Sequence, residues 1–145
     1  MKQPLLITGA AGFIGSNFAR LLAKCETAGE RPIILFDALT YAGNIASIKD
    51  LMDEKLVTFV HGNICNIDEV RDVFQRFSID SVAHFAAETH VDRSILGARA
   101  FAETNITGTL NLLLAAQETW QENWDNHCFL HISTDEVYGT LCSID

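Results

Sequence analysis

Thr8-Gly9-Ala10-Ala11-Gly12-Phe13-Ile14-Gly15 constrains this chain more than any other stretch. An apolar run of strand length, Leu5-Leu6-Ile7, leads into it. An amphipathic pattern leads out, with Ile14, Phe18, Leu21 and Leu22 recurring at three- and four-residue steps. Strand, tight glycine turn and helix form the phosphate-binding start of a dinucleotide fold. Gly9 permits a sharp turn off the strand, Gly12 lets backbone approach a pyrophosphate, and Gly15 lets helix and strand pack closely. The N-terminus of the helix offers N–H groups and a partial positive charge to an anion. The spacing is G-x-x-G-x-x-G, so the strand before and the helix after carry as much of the reading as the glycines do.

A second apolar run, Ile33-Ile34-Leu35-Phe36, ends at Asp37, 22 residues past Gly15. An acid at about that distance meets the adenosine ribose hydroxyls of a dinucleotide. A carboxylate there repels a 2′-phosphate, so the expected cofactor is NAD rather than NADP. Further on, strands are expected over Leu56–Val60, Ser81–Phe85 and Cys128–Ile132. Helical stripes run through Ile45, Ile48, Leu51 and Met52, and through Ile67, Val70, Val73, Phe74 and Phe77. Asn44 and Asn66 stand where helix caps belong, the latter with Glu69 as a capping box. This alternation predicts an α/β fold: a Rossmann-like, doubly wound parallel sheet of about five strands with flanking helices.

Ten basic against nineteen acidic residues give a net charge of −9, which disfavours nucleic acid or an anionic membrane as partner. No apolar run approaches the roughly 20 residues that span a bilayer. Cys25, Cys65, Cys128 and Cys142 show neither a C-x-x-C nor any metal spacing, so reduced thiols, no metal and a cytoplasmic location are expected. The first residues, Met1-Lys2-Gln3-Pro4, run into the first strand without a signal peptide.

Two stretches follow strand ends, where open α/β sheets bind ligands. One is Ala86-Ala87-Glu88-Thr89-His90-Val91-Asp92-Arg93-Ser94; the other is Ser133-Thr134-Asp135-Glu136-Val137-Tyr138-Gly139. Between them a long helix is expected from about Ala98 to Trp120. Leu110, Leu112, Leu113 and Leu114 make it apolar on more than one face, which calls for a second packing partner. Adjacent carboxylates such as Asp135 and Glu136, held in a partly dry cleft, push their pKa values apart and give one acid and one base. The hydroxyl of Thr134 can bind a substrate oxygen.

These motifs together resemble the dTDP-glucose 4,6-dehydratases of the extended short-chain dehydrogenase/reductase group, over essentially the whole chain. The glycine signature marks the broad group. The adenosine loop Asp37-x-Leu39-Thr40-Tyr41-Ala42-Gly43-Asn44, the segment Thr104-Asn105-Ile106-x-Gly108-Thr109 and the Asp135-Glu136 pair are more specific. The resemblance implies that Gly9, Gly12, Phe13, Ile14, Gly15, Asp37, Ala38, Leu39, Thr40, Asn63, Ile64, Ala86, Ala87 and Thr104 bind NAD. Glu88, Thr89 and Thr134 would contact the sugar nucleotide, dTDP-glucose. It further implies catalysis by Thr134, Asp135 and Glu136: Glu136 removes the C5 proton beside a C4 ketone, and Asp135 protonates the departing C6 hydroxyl. A homodimer is implied for the full-length protein. Asn63 stands where the family usually has Asp; its amide oxygen can still accept from an adenine amino group. The family's Tyr-x-x-x-Lys pair does not occur: Tyr41 is followed at +4 by Ile45, and Tyr138 by Cys142. Residues 1–145 are therefore expected to be an incomplete NAD-binding domain, an inactive N-terminal portion lacking the last strands and the substrate domain. The alternatives are another NAD-dependent nucleotide-sugar dehydratase or epimerase acting on a UDP-sugar, and a non-catalytic NAD-binding module.

Overall fold

The structure is a computed structural model and describes residues 3–25, 31–89, 97–121, 123–134, 137 and 139. Its centre is a five-stranded parallel sheet, ordered β3-β2-β1-β4-β5. The strands are β1 (Leu5–Thr8), β2 (Ile33–Asp37), β3 (Thr58–His61), β4 (Ser81–His84) and β5 (Cys128–His131). β1 lies in the middle, with Leu5 opposite Ile33 on one side and Ser81 on the other. Strands buried on both faces read as continuous apolar runs. β1 and β2 are buried throughout, whereas the edge strands β3 and β5 are mostly exposed or half-buried.

Side chains alternate across the sheet and divide the core in two. Leu6, Ile34, Phe36 and Val82 face α3 (Ile67–Phe77) and α5 (Thr109–Trp120), meeting Val70, Val73, Phe74, Leu112, Ala115 and Trp120. Leu5, Ile7, Ile33, Leu35 and Ala83 face α1 (Phe13–Ala23) and α2 (Lys49–Asp53), meeting Ala19, Ile48 and Leu51. Each face also has a charged pair joining its two helices. Arg71 holds Glu118 from α3 to α5, and Arg20 of α1 holds Asp50 of α2 and the Ser47 carbonyl just before it. Such exposed pairs contribute little to stability; the apolar layers dominate.

Local chemistry moves some boundaries from their expected places. Strand three begins at Thr58, because Lys55 adopts a positive φ of 57° and the Leu56 N–H closes a turn onto the Leu51 carbonyl. Asn44 caps a 3₁₀ turn, Ile45–Ser47, by accepting from the Ala46 N–H. Asn66 caps α3 through the Asp68 N–H. Its partner Glu69 does not close a reciprocal box: it accepts from the Asn66 side chain and, at 2.7 Å, from the Asn63 N–H. The helix expected over 98–120 is three pieces: α4 (Ala98–Ala102), a π turn (Glu103–Gly108) and α5. At the end of the sheet away from the strands' carboxyl termini, the Trp120 indole N–H donates to the Ile79 carbonyl and its ring stacks on His127. His127 in turn meets Asp80 at 3.1 Å.

Candidate cofactor site

β1, β2 and β4 end together at one edge of the molecule, where the strand order reverses. The turn after β1 is held there by backbone geometry. Gly9 has φ +66°, and a Cβ on it would sit 2.6 Å from the Ala86 nitrogen. Only glycine permits both the left-handed conformation and that approach. A Cβ on Gly15 would run into the Gly9 carbonyl oxygen, so α1 sits as close to the turn as backbone allows. Gly12 caps α1 without any side-chain bond, which leaves the first N–H groups of this helix to an anion. Phe13 and Ile14 lie on that first turn, 87% and 61% exposed.

The carboxylate of Asp37 organises the next wall. One oxygen accepts the Ala11 N–H at 2.9 Å and the other accepts the Leu39 N–H at 2.7 Å. Each oxygen keeps a second lone pair, a geometry suited to two vicinal hydroxyls. The following loop is pinned by the Asn44 N–H on the Ala11 carbonyl and by His61 on the Ala38 carbonyl. Leu39 takes φ 50° and packs its side chain into the core beneath.

These elements enclose one open cleft at the carboxyl ends of the strands, where open α/β sheets bind ligands. Of the residues expected to bind cofactor or substrate, Gly9, Gly12, Asp37, Ala38, Thr40, Asn63, Ile64, Ala86, Ala87, Glu88 and Thr104 line this one cleft. Phe13, Ile14, Gly15 and Leu39 shape or flank its floor from outside the lining. Thr89 is exposed beside Glu88, and Thr134 is exposed three residues past β5. Asp135 and Glu136 lie outside the described residues, as do His90 to Ser94. The Asn63 amide oxygen accepts from the Cys65 N–H at 2.9 Å, which leaves one lone pair for an adenine amino group.

Sequence reasoning placed Tyr41 and Gly43 in the adenosine loop without giving either a role, and gave none to Gly62 or His84. Gly43 tucks against the Asp37 carboxylate, where a Cβ would stand 2.6 Å from one oxygen, and Gly62 lies against the Phe36 ring. The Tyr41 hydroxyl donates to the Glu88 carboxylate at 2.9 Å, bridging the two walls of the cleft. Beneath the cleft, His84 is 1% exposed and has a threonine hydroxyl at each ring nitrogen. Burial, and secondarily the neighbouring His131, push its pKa down to about 4. The glycines carry a turn signal in the sequence. Nothing in sequence order joins Tyr41 to Glu88, or His84 to Thr8.

Nothing in this arrangement conflicts with a dinucleotide: glycine turn, helix terminus, carboxylate and cleft stand in one line. Known proteins resemble the chain in sequence and fold. A dTDP-glucose 4,6-dehydratase of Salmonella typhimurium is 45% identical over 141 residues, covering 94% of this chain and 38% of that protein. The crystal structure of a dTDP-glucose 4,6-dehydratase from Streptomyces venezuelae, with NAD bound, superposes with a TM-score of 0.84. It is 41% identical, over 97% of this chain and 42% of that one. The UDP-Glc/GlcNAc 4-epimerase of Campylobacter jejuni superposes at 0.82 with 28% identity, over 94% of this chain and 39% of that one. The chain thus spans about two fifths of the length of the proteins it matches. The family model described as GDP-mannose 4,6 dehydratase matches residues 6–144, from β1 through the segment after β5, and the chain belongs to that family.

Proposed function

We propose that this chain is the NAD-binding part of a dTDP-glucose 4,6-dehydratase, with the sugar-nucleotide domain supplied from outside residues 1–145. The observation that carries the reading is the convergence of the glycine turn, Asp37 and the loop after β4 on one cleft. The 45% identity to the Salmonella dehydratase supports the choice of reaction. Gly12, Phe13 and Ile14 would face the pyrophosphate, Asp37 the adenosine ribose, and Asn63 with Ile64 the adenine. Ala86, Ala87 and Thr104 would line the path toward the nicotinamide.

Bound NAD would supply a hydride acceptor for C4 of the glucose ring and return the hydride to C6. The C4 hydroxyl proton would pass to a base outside residues 1–145, and this chain's own residues would handle the protons of the water loss. Glu136 would take the C5 proton, which is acidic only beside a C4 ketone. Asp135 would protonate the C6 hydroxyl oxygen so that it leaves as water. The Thr134 hydroxyl would hydrogen-bond the sugar near C4, with Glu88 and Thr89 beside it. The product is a 4-keto-6-deoxy sugar nucleotide, formed with no net redox change. We also propose a cytoplasmic homodimer that binds neither nucleic acid nor membrane. The net charge of −9 supports this, as does an exposed apolar stripe on α5. Among the described residues no helix is long and apolar enough to cross a membrane.

The test is conversion of dTDP-glucose by the full-length protein with NAD, followed by mass spectrometry, with UDP-glucose and GDP-mannose in parallel. Loss of water from dTDP-glucose is expected, slowed ~10²–10⁴-fold by Glu136→Gln. Turnover confined to another nucleotide sugar, or C4 inversion without loss of water, would overturn the reading.

A further inference from the structure

His84 sits under the cleft, and its contacts allow one arrangement of protons. Its Nδ1 lies 2.6 Å from the Thr8 hydroxyl oxygen and its Nε2 lies 3.0 Å from that of Thr109. The Thr109 hydroxyl donates its single proton to the Asn105 carbonyl at 2.8 Å. It can therefore only accept from His84, so Nε2 carries the hydrogen and Nδ1 is bare. The Thr8 hydroxyl then donates to Nδ1. The result is a directional chain from the end of β1, through β4, into the π turn.

The last link ends in the π turn. Thr109 gives its N–H to the Ile106 carbonyl, and its hydroxyl takes the Asn105 carbonyl instead. The widened turn aims the Asn105 side chain at one residue. Its Oδ1 accepts the Glu88 N–H at 2.8 Å and its Nδ2 donates to the Glu88 carbonyl at 2.9 Å. Both backbone groups of Glu88 are thus held as a neighbouring strand would hold them, in a segment that forms no strand. Glu88 lines the cleft directly after Ala86 and Ala87, and Thr104 lines it from the π turn.

We infer that His84 is a positioning residue that acts through Thr109 and Asn105 to fix the Glu88 backbone, and with it the wall of the cleft. An apolar side chain of the same size would fill the space. It would also leave the Thr8 hydroxyl without its acceptor and the Thr109 hydroxyl without the donor that orients it, loosening the hold on Asn105. The kinetic part of this inference rests on the dehydratase reading; the structural part does not.

Replacing His84 itself empties a buried site, so the chain is better cut downstream. In the full-length protein, Thr109→Val removes the hydroxyl at constant shape and Asn105→Ala removes the clamp. Each is expected to lower kcat ~10–100-fold, since a displacement of about 1 Å costs that order, with KM for dTDP-glucose changing less. The double variant should be no slower than the worse single one. Singles whose effects multiply in the double variant would show that the residues act separately. Two readouts need no substrate. Thr109→Val should speed amide exchange at Glu88 and leave Leu6 and Ile7 protected; uniform loosening, or no change at Glu88, overturns the inference. Nitrogen NMR of wild-type His84 at pH 7 should show the Nε2–H tautomer, and the Nδ1–H form overturns it. A wild-type protein inert toward dTDP-glucose would remove the dehydratase reading and leave these two measurements to decide the positioning role.

Discussion

Asp37 does structural and recognition work with the same two oxygens. Each already holds one backbone N–H, from Ala11 and from Leu39, so the carboxylate is fixed before any ligand arrives. A fixed anion repels a second anion placed beside it, and such like-charge contacts cost several kcal/mol. Calorimetric titration is therefore expected to show NAD binding at least ~10-fold tighter than NADP, and Asp37→Ala should narrow that gap. Equal affinity in the wild-type chain would contradict the assignment. Asp37→Ala should also destabilise the fold by ~1–3 kcal/mol, because it orphans two N–H groups. His84 makes a separate prediction about pH. Its folded pKa of about 4 lies below its ordinary 6.5, so the unfolded chain binds the proton that the folded chain rejects. Stability from this group is then complete above pH 6.5 and falls as pH drops toward 4. At ~1.4 kcal/mol per pH unit the loss is capped at roughly 3 kcal/mol. Urea unfolding at pH 7 and pH 5 should differ by ~2 kcal/mol more in wild type than in His84→Asn. A pH response that is the same in both would remove His84 as its source.

At the scale of the element, α1 sets two known effects against each other. Alanine is favoured over glycine inside a helix by ~1 kcal/mol. At Gly15 the new Cβ would meet the Gly9 carbonyl, which is backbone and cannot swing aside without moving the whole turn. Overpacking of that kind costs ~1–3 kcal/mol, so Gly15→Ala is expected to lower the unfolding midpoint and weaken NAD binding together. A gain in stability would mean that the turn yields more easily than its contacts indicate. The same elements show why some features were legible in the sequence. β1, α1, β2, α3 and β4 follow from apolar period and turn residues, which are local. So does the glycine–Asp37 constellation, because its parts sit on consecutive elements. The π turn was not legible, and neither was the contact beside it between the Thr109 hydroxyl and His84, 25 residues away in sequence. The Tyr41–Glu88 bridge and the tuck of Gly43 against Asp37 are likewise products of folding. The start of strand three was misplaced because a positive φ at Lys55, which no local rule assigns to lysine, extends the preceding turn.

For the whole molecule the exposed face of the π turn and α5 is the feature with the widest reach. Ile106, Leu110, Leu113 and Leu114 are 68%, 50%, 45% and 37% exposed and recur at helical spacing along one stripe. The dimer proposed above would cover that stripe. Sedimentation of the full-length protein should show a dimer, and Leu110→Glu with Leu114→Glu should shift it to monomer; a wild-type monomer at all concentrations would rule it out. A polypeptide of these 145 residues alone should bind NAD and yet give no 4-keto-6-deoxy product, since it contains no Tyr-x-x-x-Lys pair to support oxidation at C4. Product above a Glu136→Gln control would mean that another residue takes that place. The order of the sheet also bears on how the chain comes into being. β1 is made first and lies in the centre, paired on one side with β2 and on the other with β4. On a ribosome adding ~5–20 residues per second, the second edge of β1 waits several seconds for the strand that closes it. Through that interval Leu6 and Ile7 belong to an unfinished nascent sheet with one open apolar flank. Parallel pairings over such distances form slowly, so β1 stays half-paired until β4 has emerged, and β4 in turn waits for β5.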